Sequence, residues 1–386
     1  MRAPLDAGNQ RRPHGRVVSA IPLVDLSAQW ESIRAEAEPA MAEVLASGAF
    51  ILGPAVERFE TAFATWVGAA HAVGVGSGTD AVELSLRACG IGAGDDVLVP
   101  VNTFVASAIG VLRAGANPVY VDCDERTFLI DLDAAARART PRVRALLPVH
   151  LYGRLCDPDA LRAFCSANDW LLIEDAAQAH GANSAAGRAG SCGMAAAFSF
   201  YPGKNLGAAG DGGAVTTSDP DVASRLRALR NYGSPRKYEH PAFGVNSRLD
   251  SLQAALLDVK LRRIDAWNAS RRRLARAYDE RLRGIEGLVL PEIPTGEEHV
   301  FHLYVVRVPA RLRDGVMRAM GAAGIGAGIH YPAPVAFLPA VGATPTPGDF
   351  PVAERVAGEI VSLPLYPEMP EASVDRVCEV LRSAIA

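Results

Sequence analysis

Trp170-Leu171-Leu172-Ile173-Glu174-Asp175-Ala176-Ala177-Gln178 is an apolar run that ends on two carboxylates. Read as a strand, it delivers Asp175 to its carboxyl end, where packing alone gives little reason for a charge. That edge of an open α/β sheet is where ligands bind. Gln178 lies three residues on, so one helical turn points it into the same space. The plain alternative is an aspartate that caps the following helix.

The pattern continues outward from this strand. Residues 72–75, 96–101, 118–121, 144–149 and 195–200 read as further strands, with 214–217 an extra strand on the same sheet. Helical stretches over 80–88, 104–113 and 158–167 fall between them. Such alternation predicts an α/β fold with a mostly parallel mixed sheet between helices. Residues 251–283 read as one long charged helix, with Leu252, Leu256, Val259, Ile264 and Trp267 at near-helical spacing. A strand–helix–strand set over 302–308, 313–322 and 325–330 follows, and an amphipathic helix over 371–385 closes the chain. The expected division is a disordered tail over 1–20, a large α/β domain over 21–258 and a smaller α+β domain over 259–386.

Composition narrows the function classes. Lys and Arg number 39 against 43 Asp and Glu, a net charge of −4 that argues against a nucleic-acid-binding stripe. The six cysteines are scattered with no Cys-x-x-Cys pair, so no metal site or disulfide framework is expected, and reduced thiols point to the cytoplasm. No apolar run reaches the length of about 18 residues that a membrane helix needs. Arg2, Pro4, Arg11, Arg12, Pro13 and Arg16 crowd the N-terminus without an apolar core, which excludes a secretory signal there.

Two further segments carry chemistry. Gly74-Val75-Gly76-Ser77-Gly78-Thr79-Asp80 joins a strand to a helix, and its glycines let backbone N–H groups approach an anion. An ordinary turn capped by Thr79 or Asp80 is the alternative, and the spacing is not that of a dinucleotide site. In Phe198-Ser199-Phe200-Tyr201-Pro202-Gly203-Lys204-Asn205-Leu206-Gly207 a strand stops at a Pro-Gly break, and Lys204 is the only charged residue between Arg188 and Asp211. A lone amine in an uncharged stretch suits a desolvated nucleophile, with a solvated turn lysine as the alternative. An anion cup, a strand-end aspartate and a lysine in this order are the parts of a pyridoxal-phosphate (PLP) site. There the lysine forms a Schiff base, and the aspartate keeps the ring nitrogen protonated.

The segments Gly76–Ala81, Glu174–Gly181 and Ser199–Asn205 resemble the DegT-type sugar-nucleotide aminotransferases, PLP enzymes of fold type I. The resemblance runs from about Ile21 to the C-terminus. Residues 229–234, Lys237-Tyr238 and Asn246-Ser247-Arg248-Leu249-Asp250 look most like the members that aminate C3 of dTDP-3-keto-6-deoxyhexoses; amination at C4 is the alternative. The resemblance implies PLP held covalently on Lys204, with Asp175 on its ring nitrogen and Gln178 at its phenolic oxygen. Gly78, Thr79 and Ser199 would bind the phosphate, and Phe104 would stack on the ring; helix-core packing is the plain reading of Phe104. Asn246 would reach the phosphate in a neighbouring subunit, which implies a homodimer with shared sites. L-Glutamate is the implied amino donor.

His150, Tyr152, Tyr201, His330 and Tyr331 are candidates for the sugar pocket, or else satisfied structural residues. Arg230, Arg236, Lys237 and Arg248 form a basic cluster suited to a diphosphate, or else a solvated loop. Two features depart from family habit or separate its branches. No histidine stands at Ala336 or Phe337, where the family usually has one, and Lys204 is not the histidine of the dehydratase branch. A cysteine desulfurase is disfavoured, because Cys192 has no flanking charge and Asp157 follows Cys156. A regulator that kept only the fold is the rival of another class.

Overall fold

The computed structural model describes residues 20–236 and 238–386. The tail expected over 1–20 therefore lies outside the described residues except for Ala20, and so does Lys237. Two helices lead, α1 (Leu26–Ser47) and α2 (Pro54–Val67). Asp25 caps α1 by accepting the Ala28 N–H at 2.9 Å, and Pro54 opens α2, where its missing N–H costs nothing. Strand and helix then alternate through β1 (His71–Val75), α3 (Gly78–Ala88), β2 (Asp96–Pro100), α4 (Val105–Arg113), β3 (Asn117–Val121), α5 (Leu132–Ala138), β4 (Val143–Leu146), α6 (Pro158–Asn168) and β5 (Leu171–Asp175). A small ribbon, β6 (Asn183–Ser184) and β7 (Gly187–Arg188), precedes β8 (Ala195–Ser199), β9 (Gly213–Thr217) and α7 (Pro220–Leu229).

The seven long strands form one sheet in the order β1-β9-β8-β5-β4-β2-β3. Pairs from β8 to β3 are parallel, while β9 is antiparallel to both its neighbours, so β9 alone runs against the rest. Side chains alternate between the faces as a pleated strand requires. Ala195 and Ala197 join the core under α3 and α7, whereas Ala196 and Phe198 join the core under α1 and α2. Both faces are covered, which is why these strands read as nearly continuous apolar runs.

The helix expected over 251–283 is two helices, α8 (Ser251–Leu261) and α9 (Ile264–Leu282), broken at Arg262-Arg263. Leu256 and Leu257 of α8 pack into the core of α1 and α2, while Leu274, Tyr278 and Leu282 of α9 enter a separate core. Ile264 and Trp267 at the start of α9 still belong to the first core, so α9 itself spans the two. After it come β10 (Tyr304–Arg307), α10 (Ala310–Ala322), α11 (Pro351–Ala357), β11 (Ile360–Leu363) and α12 (Glu371–Ile385). β10 pairs antiparallel with β11, which sequence reading had missed. The strand expected over 325–330 is absent: Ile325 and Gly328 make only isolated bridges, to Ile21 and Ser362. A Cβ on Gly326 would stand 2.5 Å from the Leu23 nitrogen, so this segment is pressed against residues 21–23. No helix among the described residues is long and apolar enough to cross a membrane.

Candidate active site

Because β1, β2, β5 and β8 run the same way, their carboxyl ends share one edge of the sheet. A cavity of about 510 Å³ opens there. The sequence-derived candidates Gly78, Thr79, Phe104, Asp175 and Gln178 line it. So do Ser199, Tyr201, Lys204, His330 and Tyr331.

The anion cup is built by close packing. A Cβ on Gly78 would stand 2.5 Å from the Ser199 Cβ, and one on Gly213 would stand 2.4 Å from the Ser77 carbonyl oxygen. Glycine at both positions lets the start of α3 sit directly on the ends of β8 and β9. Ser77 caps α3, accepting the Asp80 N–H at 3.2 Å, so the cap is neither Thr79 nor Asp80. Those two residues already lie inside the helix. The N–H groups of Gly78 and Thr79 have no intrahelical acceptor and stand at the cavity wall, where the helix dipole favours an anion.

Asp175 is buried at the end of β5. The chain turns after it instead of entering a helix, so Asp175 is not a helix cap. Its Oδ1 accepts the Ala177 N–H at 3.1 Å and its Oδ2 accepts the Ser107 hydroxyl at 2.7 Å. Thr103 Oγ1 lies 2.8 Å from Ser107 Oγ, which extends the chain of hydroxyls. Ser107 also lines the cavity. Sequence reading missed it, because no spacing relates α4 to a carboxylate 68 residues on.

Lys204 follows the Pro202-Gly203 break, its N–H held by the Tyr201 carbonyl at 2.9 Å. Burial lowers its ammonium to about 8 against the opposing pull of Asp175. It is the only lysine or arginine among the described residues that line the cavity. Around it, burial first and the Lys204 charge second push His180 to about 3 and His302 and His330 downward, so these imidazoles are neutral. Burial raises Tyr331, which keeps its proton and accepts a bond from Gln178 Nε2 at 3.1 Å. The other end of Gln178 accepts the Tyr152 N–H at 2.7 Å, so its amide is fixed against the wall. Phe104 is 50% exposed, its ring 5.3 Å from that of Tyr331, so helix-core packing does not describe it.

Other candidates fall elsewhere. His150 is fully buried, bonded to Glu174 at 2.9 Å and to the Cys156 N–H at 3.1 Å, and it lines no part of the cavity. Tyr152 is buried behind the wall, where its hydroxyl donates to the His330 carbonyl. Arg230 is buried too, paired with Glu60 and the Gly74 carbonyl, which makes it a strut under β1 and removes it from the proposed basic cluster. Arg248 bonds Asn231 at 3.1 Å and lies over the Tyr232 ring; Arg236 and Asn246 are exposed, and none of the three lines the cavity. Among the described residues no cluster of His, Cys, Asp and Glu could hold a metal ion.

The protein's sheet order and cavity position define a mixed α/β fold, which its match to solved aminotransferases identifies as fold type I. It belongs to the DegT/DnrJ/EryC1/StrS aminotransferase family, whose model matches residues 31–382. It is 47% identical to a dTDP-3-amino-3,4,6-trideoxy-alpha-D-glucose transaminase of Streptomyces venezuelae over 94% of this chain and 95% of that one. It is 48% identical to the erythromycin biosynthesis sensory transduction protein EryC1 of Saccharopolyspora erythraea, over 94% of this chain and 99% of the relative. The crystal structure of S. venezuelae DesV with a ketimine intermediate matches with a TM-score of 0.91 and 47% identity, covering 94% of this chain and 98% of DesV.

Proposed function

We propose that this protein is a PLP-dependent aminotransferase that moves an amino group from L-glutamate to C3 of a dTDP-linked 3-keto-6-deoxyhexose. The observation that carries this reading is Lys204, an amine lowered to about 8, in one cavity with Asp175 and the open N-terminus of α3. The residues fit the cofactor: the Gly78–Ser199 contact leaves a cradle for a phosphate, and Phe104 offers an exposed aromatic face. PLP, when bound, supplies the electron sink that lets an amino group leave one substrate and join another.

In this reading the N–H groups of Gly78 and Thr79, with Ser199, hold the phosphate. Asp175, fixed by Ser107 and Ala177, would hold the ring nitrogen, and Gln178 would hold the phenolic oxygen. Lys204 would carry the cofactor, and its amine would take and return the proton at the reacting carbon, a task its lowered pKa suits. His330, Tyr331 and Tyr201 are left to line the sugar.

A homodimer in a cytoplasmic setting completes the reading, supported by the exposed Asn246 and six free cysteines. A second unit after residue 258 belongs to the proposal, supported by the separate core beneath α9, α10 and α12, while Val259, Leu261, Ile264 and Trp267 still pack with α1 and α2. The name of EryC1 suggests a regulator, but retention of both Lys204 and Asp175 supports chemistry. The test is incubation with PLP, L-glutamate and either a dTDP-3-keto-6-deoxyhexose or its C4-keto isomer. Turnover of the C3 compound is expected; preference for the C4 isomer overturns the position, and absence of any amination overturns the enzyme. For the shared site, mixing Lys204→Ala with Asn246→Ala subunits should restore activity in heterodimers, and no rescue defeats it.

A further inference from the structure

His302 lines the cavity, and its protonation pattern is fixed by contacts that lead back to two backbone carbonyls. Asn205 Nδ2 donates to the Val300 carbonyl at 3.1 Å and to Asn268 Oδ1 at 2.9 Å. Asn268 Nδ2 in turn donates to the His180 carbonyl at 2.8 Å. A carbonyl only accepts, so neither amide can be flipped. Asn205 therefore turns its oxygen toward His302, whose Nδ1 lies 3.2 Å away and must carry the hydrogen. Burial and the nearby Lys204 charge favour the neutral ring. The remaining nitrogen, Nε2, is then a bare acceptor, and no described residue donates to it.

We propose that His302 is a specificity-determining residue whose Nε2 accepts a hydrogen bond from a hydroxyl of the bound sugar. The inference rests on the sugar-nucleotide reading above. A ring that cannot turn its N–H outward takes a donor and refuses a bare carbonyl or ether oxygen, so it reads a hydroxyl and not merely ring shape. A site built around one such bond disfavours the ligand that lacks it, because the acceptor is then left without a partner.

The experiment measures binding. The holoenzyme is titrated by calorimetry with dTDP-6-deoxyglucose, which lacks the reactive ketone, and with its analogues missing the C2 or the C4 hydroxyl. In the wild type, loss of one of these hydroxyls should weaken binding about tenfold. His302→Leu should erase that preference while binding the deoxy analogue as the wild type does, and His302→Gln, which restores an acceptor oxygen, should recover part of it. Circular dichroism and dTDP binding show whether each variant is folded. If neither deletion matters to the wild type, or if the preference survives in a folded His302→Leu, the assignment falls. Failure of the wild type to bind any of these nucleotides instead overturns the sugar-nucleotide reading on which it rests.

Discussion

Ser107 donates its hydroxyl to Asp175 Oδ2 at 2.7 Å, joining α4 to the end of β5 inside the cavity wall. The contact fixes the rotation of the carboxylate, with the Ala177 N–H holding the other oxygen. Ser107→Ala leaves a buried carboxylate short of one donor, at a cost of about 1–3 kcal/mol. The melting temperature should fall, and the dissociation constant for PLP should rise about tenfold by absorbance titration. No change in either would show that the contact does not set the aspartate.

Asp175→Asn should still bind PLP but lose turnover by a factor of about 100 or more, because an amide cannot balance a protonated ring nitrogen. Steady-state kinetics on the holoenzyme check this. A near-normal kcat removes Asp175 from its assigned place.

Gly78→Ala forces a methyl to within 2.5 Å of Ser199 Cβ and 3.0 Å of its Cα. Backbone lies on one side of that clash, so a rotamer change cannot relieve it. A stability loss of about 1–3 kcal/mol is expected. Thr79→Ala leaves the packing intact, so its smaller loss separates cradle shape from hydroxyl contact when PLP affinities are compared.

The parts of this site legible in the sequence are those where one residue type stands out against its local pattern. Asp175, in the carboxylate pair that ends an apolar strand, and Lys204, alone in an uncharged stretch, are such residues. Their shared edge follows from parallel strands. His150 has the same polar character but is bonded to Glu174 and lines no part of the cavity, and the chain then turns through Tyr152 at a positive φ of 57°. No residue type announces that turn to a reader of strands. Ser107, Asn205 and His302 were missed for another reason: each acts through partners from distant segments. The break between α8 and α9 contains neither glycine nor proline. The change of core falls inside α9, between Trp267 and Leu274, and not at the break, which local periodicity does not mark.

Glu174 tests how the strand beside Asp175 is held. Its carboxylate accepts from His150 Nε2 and from the N–H groups of Gly190, Cys192 and Gly193, at 2.8–2.9 Å. Burial opposes the charge, yet His150 and these backbone donors overcome it and hold the carboxyl below its usual range. A lowered folded-state pKa means stability present above the unfolded value of about 4.3 and lost as pH falls through the folded one. Glu174→Gln turns an amide N–H toward other donors and should cost about 2–4 kcal/mol at neutral pH. Urea melts of the two proteins should converge as the solution is acidified. A constant gap down to the acid transition would show that the charge of Glu174 is not what stabilises the loop.

Lys204 gives the clearest pH signature. Its folded-state pKa is lowered to about 8, chiefly by burial, with Asp175 pulling the other way. The amine must be neutral to attack the PLP aldehyde, so uptake of PLP by the apo-protein should accelerate with a midpoint near that value. An ordinary lysine, with a pKa of about 10.4, would still be climbing two units higher. The same shift has a consequence for stability. Between the folded and unfolded values the unfolded chain binds the extra proton, so stability rises with pH across that window. Lys260, also lowered to about 8 by burial, contributes in the same direction. Comparing wild type with Lys204→Met isolates the Lys204 share: the variant should show a shallower rise and no band for covalently held PLP. Equal slopes in the two proteins, or PLP uptake with a midpoint near that of a free lysine, would place the depressed amine elsewhere.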